Sequence, residues 1–141
     1  MFMGIEIVPE MSNDTSAFDI QPATPKTILI VEDDANVGEV LMQAVSEETI
    51  HRAHLVSKGQ NAIELAKTIH PSLFILDYHL PLMNGLELYD RLHEIKGLEN
   101  VPTILTTAGV LEHDIAGRQL VGISKPIDMN KLLNIIEEYL D

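Results

Sequence analysis

Leu73-Phe74-Ile75-Leu76-Asp77-Tyr78-His79-Leu80-Pro81-Leu82-Met83-Asn84-Gly85 is the stretch that decides the fold. Its first four residues form an apolar run too short for a helix and unbroken by polar positions, as in a strand buried on both faces. A carboxylate, Asp77, follows at once. Pro81, Asn84 and Gly85 supply turn chemistry, and Leu86, Leu88, Tyr89, Leu92 and Ile95 then recur at helical spacing. The unit is strand, acid, loop, helix.

The same unit repeats in both directions. Upstream, Thr27-Ile28-Leu29-Ile30-Val31 ends in Glu32-Asp33-Asp34, and Val37, Val40, Leu41, Ala44 and Val45 mark a helix over 35–48. Arg52–Val56 is a weaker strand, followed by a helix from Gly59 to Ile69 that stops before Pro71. Downstream, Val101–Leu105 is strand-like with Thr106-Thr107 at its end, and a short, weakly apolar helix falls around 111–118. Leu120–Ser124 is the fifth strand, Lys125-Pro126 follows it, and Leu132, Leu133, Ile135, Ile136, Tyr139 and Leu140 give the last helix one apolar face. Five strands alternating with five helices predict an α/β, doubly wound five-stranded parallel sheet with right-handed crossovers and helices on both faces. Ligands of such sheets gather outside the carboxyl ends of the strands, at the switch point in strand order.

The 141 residues suit one domain. The acidic leader 1–25 has no basic residue before Lys26 and contains Ser12-Asn13-Asp14-Thr15-Ser16, Pro22 and Pro25. It reads as flexible, and Met1, Met3 and Met11 all offer translation starts. Residues 26–141 form the folded domain. A net charge of −13 opposes binding to nucleic acid backbones or anionic membranes, and no apolar run reaches membrane-spanning length. Without a signal peptide, and with no cysteine for disulfides or thiolate metal sites, a cytoplasmic protein is expected.

The chemically distinctive residues sit at strand ends: Glu32 and Asp33 after the first, Asp77 after the third, Thr107 at the fourth and Lys125 at the fifth. Three carboxylates in one pocket repel unless a cation intervenes. Mg²⁺ fits, taking one or two carboxylates and otherwise water or phosphate oxygens, while Lys125 can hold a phosphate as a point charge and Thr107 can donate to one of its oxygens. Together they suggest phosphoryl transfer with Asp77 as nucleophile. Each has a plainer use: Asp77 as a turn residue, Asp34 as a helix cap, Thr107 as a β-former, Lys125 as a solvated lysine. Joint placement at four strand ends favours the site. His51, His54, His70, His93 and His113 have no metal-ligand spacing.

Ile28–Asp34, Leu76–Gly85, Thr107-Ala108 and Ser124-Lys125-Pro126 resemble the receiver domain of two-component response regulators, over residues 27–140. The resemblance implies a flavodoxin-like, CheY-like fold with strand order 2-1-3-4-5. It implies Asp77 as phospho-acceptor, charged by a histidine kinase or phosphotransfer protein, and Asp33 as principal Mg²⁺ ligand with Glu32 acting on the same ion. The backbone carbonyl of His79 is a further implied ligand, Thr107 the switch hydroxyl, and Lys125 the phosphate partner before a cis Pro126. The family usually has an aromatic residue where this chain has Gly122, and 107–125 is short, pointing to a trimmed fourth helix and an altered readout face. Asp141 follows directly on the last helix, so output is expected through another, unknown protein and not through an attached domain; the domain is not expected to be a multiple-turnover enzyme. Two alternatives remain: an interaction module independent of phosphorylation, and an Asp-nucleophile phosphohydrolase. The latter resembles D-x-D, and His79 stands at the second acid position.

Overall fold

A computed structural model describes residues 24–109, 115 and 117–141. The leader thus lies outside the described residues up to position 23, as does most of the helix expected around 111–118. Five parallel strands form one sheet, β1 Thr27–Val31, β2 Arg52–Val56, β3 Leu73–Asp77, β4 Thr103–Thr107 and β5 Leu120–Ser124, in the order β2-β1-β3-β4-β5. The described helices are α1 Ala35–Glu48, α2 Gly59–Ile69, α3 Gly85–His93 and α4 Met129–Leu140. The expected doubly wound sheet and strand order are both present.

The unbroken apolar strands serve two cores at once, because successive side chains point to opposite faces. Leu29, Val31, Phe74, Leu76 and Leu105 pack beneath α2 and α3 with Ala62, Ile63, Ala66, Leu88 and Leu92. Ile28, Ile30, Leu73, Ile75, Ile104 and Ile123 face α1 and α4, meeting Leu41, Val45, Leu132, Ile136 and Leu140. The edge strand β2 is only partly buried, which is why its sequence pattern is weaker.

Three boundaries differ from the sequence reading. Strand β4 begins at Thr103 and not at Val101, because Pro102 has no N–H for the ladder and joins β3 only through its carbonyl, which accepts the Phe74 amide at 3.1 Å. It runs on through Thr106 and Thr107. Asp77 belongs to β3, opposite Thr106. Helix α3 ends at His93, two residues before Ile95, where the amides of Glu94 and Ile95 turn to the nearer carbonyls of Arg91 and Leu92. Among the described residues no helix is long and apolar enough to cross a membrane.

Candidate functional site

The strand order reverses between β1 and β3, and both end in acid. Their ladder closes with Val31 opposite Leu76, so Glu32 and Asp77 are adjacent one step beyond it. Both are nearly fully buried, whereas Asp33 is exposed. The carboxylate oxygens of Glu32, Asp33 and Asp77 lie within 4.8 Å of one another. Asp34 does not join them: its side chain accepts the amides of Asn36 and Val37 and caps α1.

Lys125 arrives from the far side of the sheet, where the Lys125–Pro126 bond is cis. Its Nζ lies 3.2 Å from Glu32 Oε1 and 3.2 Å from Asp77 Oδ1. Burial pushes the Glu32 carboxyl above its ordinary value; the Asp34 amide opposes this, Asp77 adds to it, and Lys125 opposes it, with a net upward result. Burial pulls the Lys125 ammonium down, but attraction to Asp77 and Glu32 outweighs it and the group is held above its usual range.

The loop after β3 is shaped around the acceptor. The His79 amide donates to Asp77 Oδ1 at 3.1 Å, while the His79 imidazole is exposed and set edge-on to Tyr78. The Gly85 amide donates to the Tyr78 carbonyl at 2.8 Å, closing residues 79–84 into a loop. A Cβ at Gly85 would sit 2.6 Å from the Asp77 carbonyl oxygen. Asn84 caps α3 in a reciprocal capping box with Glu87. Sequence reasoning missed the parts played by Gly85 and by the His79 amide. The glycine itself, following an Asn cap, was the available signal.

Thr107 stands at the end of β4, next to β3. Its hydroxyl accepts the Gly109 amide at 3.1 Å, and its carbonyl accepts the Lys125 amide at 2.7 Å. Gly122 lies opposite Leu105, and among the described residues an added Cβ would meet only Ile115 Cδ1, at 3.9 Å. The geometry thus brings Glu32, Asp33, Asp77 and Lys125 together and sets Thr107 on the adjoining strand.

A divalent cation fits this donor set. Three carboxylates against one ammonium leave two negative charges unbalanced. At an effective dielectric of about 20, each like-charge pair at this spacing repels by roughly 3 kcal/mol and each lysine contact attracts by roughly 5 kcal/mol. Three repulsions cancel two attractions and leave the burial of Glu32 and Asp77 uncompensated.

Residues 28–137 match the response regulator receiver domain. The polar-differentiation response regulator DivK of Brucella ovis is 32% identical over 122 residues, spanning 82% of this chain and 96% of the relative. Its counterpart in Brucella anthropi is 32% identical over 123 residues, spanning 82% and 97%. Among solved structures, a CheY-like receiver domain protein from Methanospirillum hungatei superposes with a TM-score of 0.76 at 24% identity, covering 84% of this chain and 95% of that one. The chemotaxis protein CheY4 of Vibrio cholerae gives 0.77 at 16% identity, covering 83% and 100%. These two likenesses establish the fold. The extent of the family match and the identity to DivK establish more: the chain belongs to the response regulator receiver domain family of two-component signalling.

Proposed function

We propose that Asp77 accepts a phosphoryl group from the phosphohistidine of a histidine kinase or phosphotransfer protein, and that the loaded domain signals by contact with a further protein. The observation that supports this most directly is Lys125 shared between Asp77 and Glu32 at 3.2 Å each, inside a three-carboxylate cluster. Asp33, Glu32 and Asp77 would hold Mg²⁺, which offsets the charge of carboxylate and phosphoryl oxygens as they approach.

In this reading an Asp77 oxygen attacks phosphorus, and the P–N bond breaks with its electron pair on the imidazole nitrogen. The His79 amide and Lys125 hold the carboxylate in place through Oδ1, which leaves the other oxygen for attack. Lys125 can then follow the charge onto the new phosphoryl group. A hydroxyl that accepts a hydrogen bond still has its own hydrogen to donate, so Thr107 can serve a phosphoryl oxygen. The product is the modified domain itself, so the chain acts as a phosphotransfer substrate and not as a multiple-turnover enzyme. A cytoplasmic setting is consistent with this.

Incubation with Mg²⁺ and phosphoramidate, followed by intact mass measurement, tests the reading. Wild type should gain one phosphoryl group and Asp77→Asn none. Absence of the adduct in wild type, or its persistence in Asp77→Asn, would sink it.

A further inference from the structure

The loop that closes over Asp77 contains an apolar residue that the fold itself does not use. Leu80 and Met83 are both half-buried and packed against the core beneath α2 and α3, and Pro81 between them fixes its own φ. With both flanks anchored, the chain turns outward at Leu82, which adopts φ 72° and is 101% exposed. The left-handed region crowds Cβ against the following carbonyl and is left mostly to Gly, Asn and Asp. The other described non-glycine residue at positive φ, His70, is the polar C-cap of α2. The remaining large exposed apolar residues among those described, Val40, Ile50 and Tyr139, do not share that backbone strain. Leu82 thus combines an unfavourable backbone with an unfavourable exposure, and no contact among the described residues offsets either.

Its position suggests the compensation. The loop is pinned at its base by the Gly85–Tyr78 hydrogen bond, so its tip, three residues from Gly85, stands within about 10 Å of that residue, which itself lies against Asp77. A protein that brings a histidine side chain to Asp77 comes within reach of that tip. Strained residues beside a functional group point to use in the complex, and a few side chains fully desolvated in well-packed pockets carry most of an interface's energy.

We propose that Leu82 is an apolar anchor for the phosphohistidine protein that exchanges phosphoryl groups with Asp77, seated in a pocket on that partner. The inference rests on the proposed acceptor role of Asp77. A small donor that makes no contact with Leu82 separates the two.

Wild type, Leu82→Asn and Leu82→Met are loaded with phosphoramidate and, separately, with a panel of purified phosphorylated histidine-phosphotransfer domains. Asn tolerates the left-handed backbone, and Met restores an apolar side chain. All three should take phosphate from phosphoramidate at equal rates, which also shows that they are folded. With the domain that loads wild type fastest, kcat/KM should fall about tenfold or more in Leu82→Asn and recover in Leu82→Met. Equal loading of Leu82→Asn and wild type by every protein donor overturns the anchor, as does a panel in which no protein donor outpaces phosphoramidate. Failure of wild type with phosphoramidate overturns the acceptor reading instead.

Discussion

Replacing Gly85 by alanine sets a local preference against a tertiary contact. Alanine is better than glycine within a helix by about 1 kcal/mol, and Gly85 is the first residue of α3. A Cβ there would stand 2.6 Å from the Asp77 carbonyl oxygen, 2.8 Å from Leu105 Cδ1 and 2.9 Å from Tyr78 Cα. Ordinary contact begins near 3.4 Å, so the Asp77 carbonyl must retreat by about 0.8 Å. Two of the three obstacles are backbone and cannot swing aside, which places the overpacking near the top of its usual range, about 3 kcal/mol. The net expectation for Gly85→Ala is a loss of about 2 kcal/mol. Gly59→Ala is the control, since the three atoms nearest its new methyl all belong to the flexible side chain of Met83, with Sδ at 2.7 Å; it should be neutral or stabilising by up to about 1 kcal/mol. Equilibrium urea unfolding measures both. A displacement of this size beneath the acceptor should also slow phosphoramidate loading of Gly85→Ala by about tenfold or more. A Gly85→Ala protein as stable as wild type, or less affected than Gly59→Ala, would refute the close-approach reasoning.

Two further outcomes follow from the charged end of the sheet. The Glu32 carboxyl is held above its ordinary 4.5, chiefly by burial, so between that value and its folded one the native state binds the extra proton. Stability should therefore fall as pH rises through this window when divalent ions are chelated, and Glu32→Gln should remove the slope and be the more stable protein at pH 7. A Gln variant less stable than wild type in urea under those conditions would contradict this. Asp34→Ala should cost about 1 kcal/mol, because Asp34 accepts two α1 amides at 2.9 and 3.1 Å, yet its phosphoramidate loading should match wild type, separating the cap from the acid pair beside it.

The strands most visible in the sequence are those buried on both faces, β1 and β3, whose unbroken apolar runs leave little choice of period. β4 was misplaced by two residues because Val101 continues the apolar pattern while Pro102 bars the ladder. Hydrophobicity does not register a missing donor. At the site, acid and lysine positions were legible because parallel topology sends every strand end to one edge. The grip of the His79 amide on Asp77 and the close approach at Gly85 were not, since both depend on a loop closing on itself. The left-handed turn at Leu82 was equally hidden, because leucine is the wrong residue from which to expect it.

The two edges of the sheet are built on opposite terms. At the amino edge, the Lys26 amide donates to His51 Nδ1 at 3.0 Å, which leaves Nε2 to donate to Asp141 Oδ1 at 3.1 Å, and Lys26 Nζ donates to the Leu140 carbonyl at 2.8 Å. These bonds tie the start of β1, the entry to β2 and the end of α4 together with buried polar groups satisfied. The carboxyl edge collects repelling carboxylates and a left-handed leucine. Local rules broken together at one place mark where a fold gives up stability for function. A phosphoryl group added there cannot be absorbed by movement at the tied edge, so it must be absorbed by the loops. If the Thr107 side chain rotates so far that its oxygen moves toward the phosphoryl group, the Gly109 amide loses its partner. Ahead of β5, Arg118 grips Asp90 of α3 through hydrogen bonds of 3.1 and 2.9 Å. Without an aromatic side chain at Gly122 to move inward, the turn from Thr107 to Gly109 is where a charge change at Asp77 first meets a contact that can be exchanged.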